Sequence, residues 1–477
     1  MDFCGDSLHI YEINRPMDFD YANASMADAE GNLLFYTNGF DIANAQHGIM
    51  LNGAALATPG TTGHGPNGIP IPQSVIILPW PENPGKFFVF YGRISTFNYI
   101  IDDQNRFIAC NTPLHYSVVD MNLEGGAGAV IEKDAILSND TTSMGKLTAA
   151  RHANGRDWWL VVPKLHSQKI LRFLITPEGV IDYGPVDSGM LIRYGNGYAV
   201  FSPDGAYYAS ISIHDWSDYD IDFFAFDRCA GAFSPLGKFQ YDDPGEILAG
   251  LAISPNSRYL YHTSLFEIRQ FDLWAEDIVG SLDTVAVYDG YLEDIPGFIG
   301  LPPLFVLPQL APDGKIYIIS GNTVRSMHVI EQPDLPGSAC EVRQRGIVLP
   351  KLNWTIPNFP HYRLGALEGS PCDTIVAVST GEQRRGGDGW QLRVLPNPAQ
   401  DFCVLVLDPL AGDALPALEN LSLRLYDGMG RLLRRQALPA GLREHRIGLE
   451  GLPPGMYYVS VQAGGQPAKT EKLIIIK

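Results

Sequence analysis

The chain has 477 residues, 45% of them hydrophobic, with 49 Gly, 35 Pro, 22 Tyr, 22 Phe and 7 Trp, and a formal net charge of −19. No stretch approaches the ~18 uninterrupted apolar residues of a membrane-spanning helix, and so acidic a chain repels a phosphate backbone, which argues against nucleic acid as a partner. Abundant Gly, Pro and aromatic residues favour short strands and tight turns over long helices, so the composition predicts an all-β protein.

The chain opens Met1-Asp2-Phe3-Cys4-Gly5, with neither the basic nor the apolar segment of a secretory signal peptide. From residue 30 to 320 a turn followed by an aromatic-rich strand recurs. The copies are Glu30-Gly31-Asn32-Leu33-Leu34-Phe35, Pro84-Gly85-Lys86-Phe87-Phe88, Asn154-Gly155-Arg156-Asp157-Trp158-Trp159, Pro203-Asp204-Gly205-Ala206-Tyr207-Tyr208, Pro255-Asn256-Ser257-Arg258-Tyr259 and Pro312-Asp313-Gly314-Lys315-Ile316-Tyr317. Anchors at 31, 85, 155, 205, 257 and 314 give steps of 54, 70, 50, 52 and 57. A period near fifty residues, with about four strands per unit, marks a β-propeller.

Six anchors plus one blade closed from both chain ends predict seven four-stranded blades, although six or eight also fit. Leu8-His9-Ile10-Tyr11 and His361-Tyr362-Arg363-Leu364 are the candidates for the closing blade. Gly205 and Gly314 should occupy equivalent inter-strand turns, and the 70-residue step should hold a long excursion between Gly92 and Thr148.

Several segments carry possible chemistry. Gly63-His64-Gly65-Pro66-Asn67-Gly68 has the letters of a dinucleotide fingerprint, but Pro59-Gly60 before it and Ile69-Pro70-Ile71-Pro72 after it leave no strand and no helix N-terminus, so it reads as a surface loop. Asp218, Asp220 and Asp222 fall on one side of an extended chain and are weak candidates for a cation, yet Phe223 and Cys229 break the EF-hand pattern. The reading is therefore a solvated loop, with no metal and no cofactor called for. No nucleophile-elbow or metalloprotease motif occurs, so catalysis could only come from groups such as His152, His166, His214 or His262 gathered at a central funnel. Of six cysteines, at 4, 110, 229, 340, 372 and 403, Cys340 and Cys372 form the first disulfide to test, with buried unpaired thiols the equal alternative.

Charge divides the chain. From Asp388 onward 10 Lys/Arg face 9 Asp/Glu, about +1, and the remainder carries 24 against 44, about −20. These features predict a propeller over 5–375, a Gly- and charge-rich linker over 379–389, and a small β-sandwich of the immunoglobulin-like kind over 390–477.

The last segment carries a multi-part signature. Val394-Leu395-Pro396-Asn397-Pro398-Ala399 opens it, Asp427-Gly428-Met429-Gly430-Arg431 forms a hairpin, Leu452-Pro453-Pro454-Gly455-Met456-Tyr457 leads a strand, and Lys472-Leu473-Ile474-Ile475-Ile476-Lys477 ends it. In order and spacing it resembles the C-terminal sorting domain of the type IX secretion system of Bacteroidetes. Pro396, Asn397, Pro398, Asp427, Gly430, Gly455, Tyr457, Lys472 and Lys477 carry the match. The resemblance implies engagement by the outer-membrane translocon, removal by a sortase-like peptidase, and a secreted or surface-attached product. Such clients cross the inner membrane behind a signal peptide, so either the start of this sequence lies downstream of the natural one or the chain is a fragment.

Segments of the body, including Gly31-Asn32-Leu33-Leu34-Phe35-Tyr36, Phe226-Asp227-Arg228-Cys229-Ala230-Gly231 and Ile356-Pro357-Asn358-Phe359-Pro360, resemble propeller-type surface proteins of the same bacteria. That likeness implies fold and location but no activity. The functional expectation is an exported, non-enzymatic propeller that binds a glycan or a protein. The alternative is a secreted hydrolase acting on polysaccharide or peptide. Two converging acids in the funnel would mark the hydrolase, and an apolar or filled channel would mark binding.

Overall fold

The computed structural model describes residues 1–3, 8–56, 67–101, 107–193, 196–214, 218–242, 249–295, 300–372, 390–395, 397, 399–409, 421–427, 432–462 and 469–475. The linker expected at 379–389 lies outside them. Two compact units emerge, Met1–Ala366 and Leu367–Lys477.

The first unit is a succession of antiparallel sheets, each built from consecutive strands. The first has three, Ala24–Ala27, Leu33–Thr37 and Ile42–Asn44. The second comprises Val75–Pro79, Lys86–Ile101, Phe107–Asp120 and Ala129–Ser138. The third runs Thr148–Arg151, Trp158–Pro163, Ser167–Thr176 and Gly179–Asp182, with Val186–Ile192 as a fifth strand on Ser167–Thr176. Asn196–Phe201, Tyr207–His214, Asp218–Asp227 and Ala232–Asp242 make the fourth, and Ala249–Ile253, Tyr259–Ser264, Glu267–Asp272 and Asp283–Val287 the fifth. Leu307–Leu310, Ile316–Ile319, Val324–Ile330 and Val342–Asn353 make the sixth.

Apolar clusters lie between consecutive sheets. Phe35 meets Phe87 across the first and second, Phe88 joins Trp158 across the second and third, and Trp159 joins Phe224 and Phe233 across the third and fourth. Ile221 joins Leu251, and Tyr261 joins Ile318, across the later interfaces. Sheets stacked face to face with their first strands innermost make a β-propeller. Among the innermost strands Val75–Pro79 and Thr148–Arg151 are buried at all but the last residue, and Ala249–Ile253 is buried throughout.

All six anchors lie in the turn between first and second strands of their sheets, and each has positive φ: Gly31 +89°, Gly85 +77°, Gly155 +72°, Gly205 +73°, Ser257 +63° and Gly314 +80°. The repeat is thus a repeat of one turn. Ser202 Oγ accepts Tyr207 N–H at 2.9 Å and donates to Asp204 Oδ1 at 2.5 Å, while Ser254 Oγ accepts Tyr259 N–H at 2.8 Å and donates to Asn256 Oδ1 at 2.7 Å. Pro presets the corner and the Asx side chain accepts the N–H two residues on.

Six anchors correspond to six sheets, and the seventh blade is not among the described residues. Leu8–Tyr11 contributes only the isolated bridge of His9 to Asp2, and His361–Leu364 joins no sheet. The long excursion is present: Lys86–Ile101 and Phe107–Asp120 continue past their last partner in Val75–Pro79, through register shifts near Ile94, to the pair Ile101–Phe107.

What would have been the closing blade is an axial segment. Thr355 accepts Asn23 Nδ2–H at 2.9 Å, and Asn358 N–H donates to Asn23 O at 2.8 Å, so the start and end of the ring are joined. Asn358 Nδ2 then donates to Val75 O (2.9 Å) and Leu147 O (3.1 Å), at the heads of the second and third sheets. Gln73 makes a two-way bond to Ala199 of the fourth, at 2.8 and 2.7 Å. Further along, Tyr362 donates to Ile77 O at 2.6 Å, Arg151 donates to Tyr362 O at 3.0 Å, and Ala366 packs on Gly155. The segment thus follows the innermost strands along the axis to the turn-bearing end.

The disulfide expected between Cys340 and Cys372 is not formed. Cys340 is a free thiol fully buried between the fifth and sixth sheets, so it takes no part in a disulfide. Cysteine parity could not reveal that packing had claimed Cys340 as a small apolar group.

In the second unit Trp390–Leu395, Phe402–Pro409 and Glu444–Gly448 form one sheet, and Leu432–Ala437, Ser422–Asp427, Gly455–Gln462 and Lys469–Ile475 another. Leu392, Cys403, Leu405 and Leu407 of one meet Leu423, Leu425, Val459, Val461 and Leu473 of the other in a common core, a small β-sandwich.

Two substitutions test the turn repeat. A Cβ at Gly205 would lie 2.7 Å from Arg228 Cδ and 3.0 Å from Leu364, whereas at Gly314 its nearest neighbour is Pro255 at 3.8 Å. Gly314→Ala should cost about 1–2 kcal/mol for the left-handed backbone alone, and Gly205→Ala measurably more, in urea unfolding. Asn358→Ala should cost about 2–4 kcal/mol, because Val75 O and Leu147 O lose their donor inside the ring. A loss below about 0.5 kcal/mol would remove Asn358 from its place in ring closure.

Candidate functional site

The ring has two ends of different character. At the end bearing the anchored turns, Arg228 is 4% exposed and its guanidinium is consumed by main-chain carbonyls: Arg151 O at 2.8 Å, Asp204 O and His152 O at 3.3 Å, and Gly365 O at 2.5 Å. It therefore clasps two turns and the axial segment together. A recess of about 390 Å³ beside it runs from Trp80 to Trp158, but its cations are engaged internally. Arg156 pairs with Asp157 at 2.7 Å and Glu82 at 3.2 Å, and Arg151 stacks 4.2 Å over Trp158.

The opposite end bears the turns between second and third strands, and with them the long second-sheet hairpin. Here a pocket of about 510 Å³ lies where the ring closes, lined by Tyr21, Leu265, Leu304, Val306, Asn322 and Trp354 among others. Tyr21 and Trp354 face each other at 5.5 Å and 47°, and Trp354 keeps 37% of its surface exposed. Two turns of the wall are strained: Leu265 has φ +33° and Thr323 φ +68°. Positive φ is uncommon for bulky or β-branched residues and concentrates at working surfaces. The far wall is held by Glu293, whose carboxylate accepts Arg325 N–H at 2.9 Å and Ser326 N–H at 3.1 Å, while its main chain bridges Leu301.

The aspartates considered for a cation are brought together, but with amines. Asp222 is fully buried with Lys238 Nζ 2.5 Å away; Asp220 meets Lys238 at 3.3 Å and Arg193 at 3.4 Å; Asp218 meets Arg193 at 3.1 Å. Behind them Lys146, wholly buried, donates to Ser212 Oγ at 2.5 Å. Burial lowers the Lys146 ammonium to about 8 against the opposing pull of Asp222 and Asp220, and burial likewise raises Asp222 against Lys238 and Lys146. Three cations balance three carboxylates, so the cluster is an internal ion network rather than the solvated loop expected from the sequence. Among the described residues no group of three or more His, Cys, Asp or Glu is placed to hold a metal.

The described histidines are not gathered at a funnel. His152 sits at a first-to-second-strand turn against Cys229 O at 3.1 Å, His166 is exposed in a tight turn at φ +44°, and His262 stacks on Tyr219 at 4.8 Å inside the fourth–fifth interface. The side chain of His214 and residues 63–66 of the Gly-rich loop lie outside the described residues. His328, not singled out in the sequence, is buried edge-on to Phe305, and burial pushes it down to about 4. Burial also holds His262 well below its ordinary value, reinforced by Arg269.

In the sandwich, Asn397 stands in an exposed bend, Asp427 ends its strand opposite Tyr457, and Gly455 pairs with Ile475. Tyr457 is buried and donates to Pro453 O at 2.8 Å. The terminal strand turns Leu473 and Ile475 into the core. Pro396, Pro398, Gly430, Lys477 and the side chain of Lys472 lie outside the described residues.

Residues 393–477 match the model of the secretion system C-terminal sorting domain, and the protein is accordingly secreted or held at the outer-membrane surface. No helix among the described residues is long and apolar enough to cross a membrane. A comparison with curated proteins finds no match. Among solved structures, a putative 6-phosphogluconolactonase of Bacteroides uniformis is 13% identical with TM-score 0.37, over 69% of this chain and 96% of that one. The periplasmic gluconolactonase of Pseudomonas aeruginosa is 13% identical with TM-score 0.32, over 68% and 95%. The extracellular domain of a putative one-component system of B. thetaiotaomicron is 10% identical with TM-score 0.32, over 95% and 50%. Likenesses this distant transfer no activity.

Two of the buried imidazoles, His262 and His328, contribute an acid limit. For each, the folded pKa lies below the ordinary 6.5, so on acidification the unfolded chain takes up the proton first and stability falls as pH drops from 6.5 towards 4. The slope should reach about 1.4 kcal/mol per pH unit for each histidine. Urea midpoints at a series of pH values should show this fall, and the His262→Gln/His328→Gln variant should show a shallower one. An unchanged slope would assign the acid limit to other groups.

Proposed function

We propose that the propeller is a non-catalytic binding module exported by its C-terminal domain, and that it engages a glycan or protein through the end bearing the second-to-third-strand turns. The observation that carries this reading is the filled axis. Asn358 and Gln73 occupy the ring centre with their amides spent on main-chain groups, and Tyr362 lies along the channel beyond them. A channel so filled leaves, among the described residues, no funnel in which acids from different blades would flank a scissile bond. The densest carboxylates are instead neutralised by Lys238, Arg193 and Lys146. What stays available at that end is a concave surface with an open aromatic ring and strained turns, the usual character of a recognition site.

The division of labour is a body over 5–375, a linker over 379–389 and a sorting domain over 390–477. The sorting domain engages the type IX translocon and is removed by a sortase-like peptidase. Its information resides in the folded sandwich, because Leu473 and Ile475 of the terminal strand complete the core.

Deleting Leu473–Lys477 from a version carrying a signal peptide should leave the propeller folded but retained in the periplasm of a type IX-competent host. Fusing residues 380–477 to an unrelated periplasmic reporter should bring that reporter to the surface, scored by protease accessibility on intact cells. An intact fusion that stays inside would sink the sorting assignment. Turnover of polysaccharide or peptide substrates by the purified protein would overturn the binding reading.

A further inference from the structure

We propose that the pocket where the ring closes is a binding site for one neutral pyranose ring of a glycan, a proposal that rests on the binding-module reading above and names its ligand. The two aromatic walls come from opposite ends of the ring: Tyr21 immediately precedes the first sheet and Trp354 immediately follows the last. Ring closure therefore assembles the pocket. Trp354 is not packed away, since 37% of its surface remains exposed although Tyr21 lies 5.5 Å from it. An indole face left open beside apolar walls, here Leu265, Leu304 and Val306, suits a flat ligand whose own face is made of C–H groups.

The ligand must also bring hydrogen-bond donors. Asn322 uses its Nδ2 on Pro302 O, which fixes the amide, and its Oδ1 is buried with no hydrogen-bond partner among the described residues. An acceptor of this kind costs free energy until a donor reaches it. Beside it the Tyr21 hydroxyl donates to Gly321 O at a slack 3.4 Å, leaving it ready to re-aim towards a ligand. An aliphatic peptide side chain would fill the apolar part and leave Asn322 Oδ1 unsatisfied. A pyranose satisfies both requirements, with an axial C–H face on the indole and hydroxyls around its rim.

Charge selects among sugars. Among the described residues no Lys, Arg, Asp, Glu or His lines the pocket, and the chain as a whole carries −19. Uronic, sialic, sulfated or phosphorylated sugars would enter without a counter-charge and against the field of the protein, so the ring bound should be uncharged. The strained turns at Leu265 and Thr323 hold the rim in a shape that relaxed backbone would not adopt, and such strain is kept where a surface is pre-organised.

The test uses the whole chain. Intrinsic tryptophan fluorescence is titrated with a panel of methyl pyranosides, and an array carries neutral and acidic oligosaccharides side by side. Binding to one or more neutral sugars is expected. Trp354→Ala should weaken it about tenfold or more, Trp354→Phe less, and Asn322→Ala about fivefold, with circular dichroism unchanged. Trp274→Ala, which removes a 57% exposed indole elsewhere on the ring, should leave affinity unaltered. Neutral-sugar binding that survives Trp354→Ala and Asn322→Ala would overturn the pocket while leaving the binding-module reading intact. Binding confined to acidic sugars, or no sugar binding beside capture of a purified protein ligand, would overturn the pyranose and again spare that reading. Absence of binding to any sugar or protein would remove both.

Discussion

The structure depends on how main-chain carbonyls at the centre of a ring of sheets find donors. Innermost strands present groups towards the axis that no neighbouring strand can reach, and each left unpaired would cost on the order of 1–3 kcal/mol. Asn358 meets this demand with one side chain and one N–H that reach three sheets, and Gln73 carries the connection to a fourth. The bond between Asn23 and Thr355, 332 residues apart, closes the circle without a strand shared between the chain ends. Pro357 and Pro360 suit the role, since they keep the segment extended and bring no N–H that would need an acceptor.

Because the axis is filled from within, the two ends of the ring are left to differ. At one, six similar turns gather, two of them with their own Asx and Ser bonds, and Arg228 knits two turns to the axial segment. That end is spent on cohesion. At the other, insertions are tolerated: the long hairpin of the second sheet, and the connection between the fifth and sixth sheets that Glu293 pins to the strand Val324–Ile330. Loops positioned by a rigid scaffold are where recognition usually resides.

The ion network of Lys146, Lys238, Arg193 and the three aspartates shows how a polar cluster can be structural. Its desolvation is visible in the lowered Lys146 and the raised Asp222, so burial outweighs pairing at both. Such a network is weak evidence for stability, but it is exacting about geometry, because losing one member strands a buried charge. It joins the approach to the third sheet to the fourth at a point where an apolar contact would be less particular about register.

Much of this was legible in the chain. The turn anchors were readable because their geometry is local: each needs one residue that tolerates positive φ, four of them just behind a Pro corner, and all six adopt positive φ. The sandwich was readable for the same reason, through short alternating strands and Gly/Pro punctuation. Period-two spacing also set Asp218, Asp220 and Asp222 on one side of their strand. Tertiary structure alone decided the rest. His361–Leu364 has the alternation of a strand, but whether it found a strand partner or the ring axis depended on five other sheets. Lys146 and Arg193 lie far along the chain from the aspartates they neutralise, and Cys340 was taken by a core that spacing does not reveal. Tyr21 and Trp354 meet only because the ring closes, so the pocket between them has no signature in any window of sequence. Turns and strands follow from near neighbours; the axis, the ion network and the pocket are decided by which distant groups must satisfy one another once water is gone.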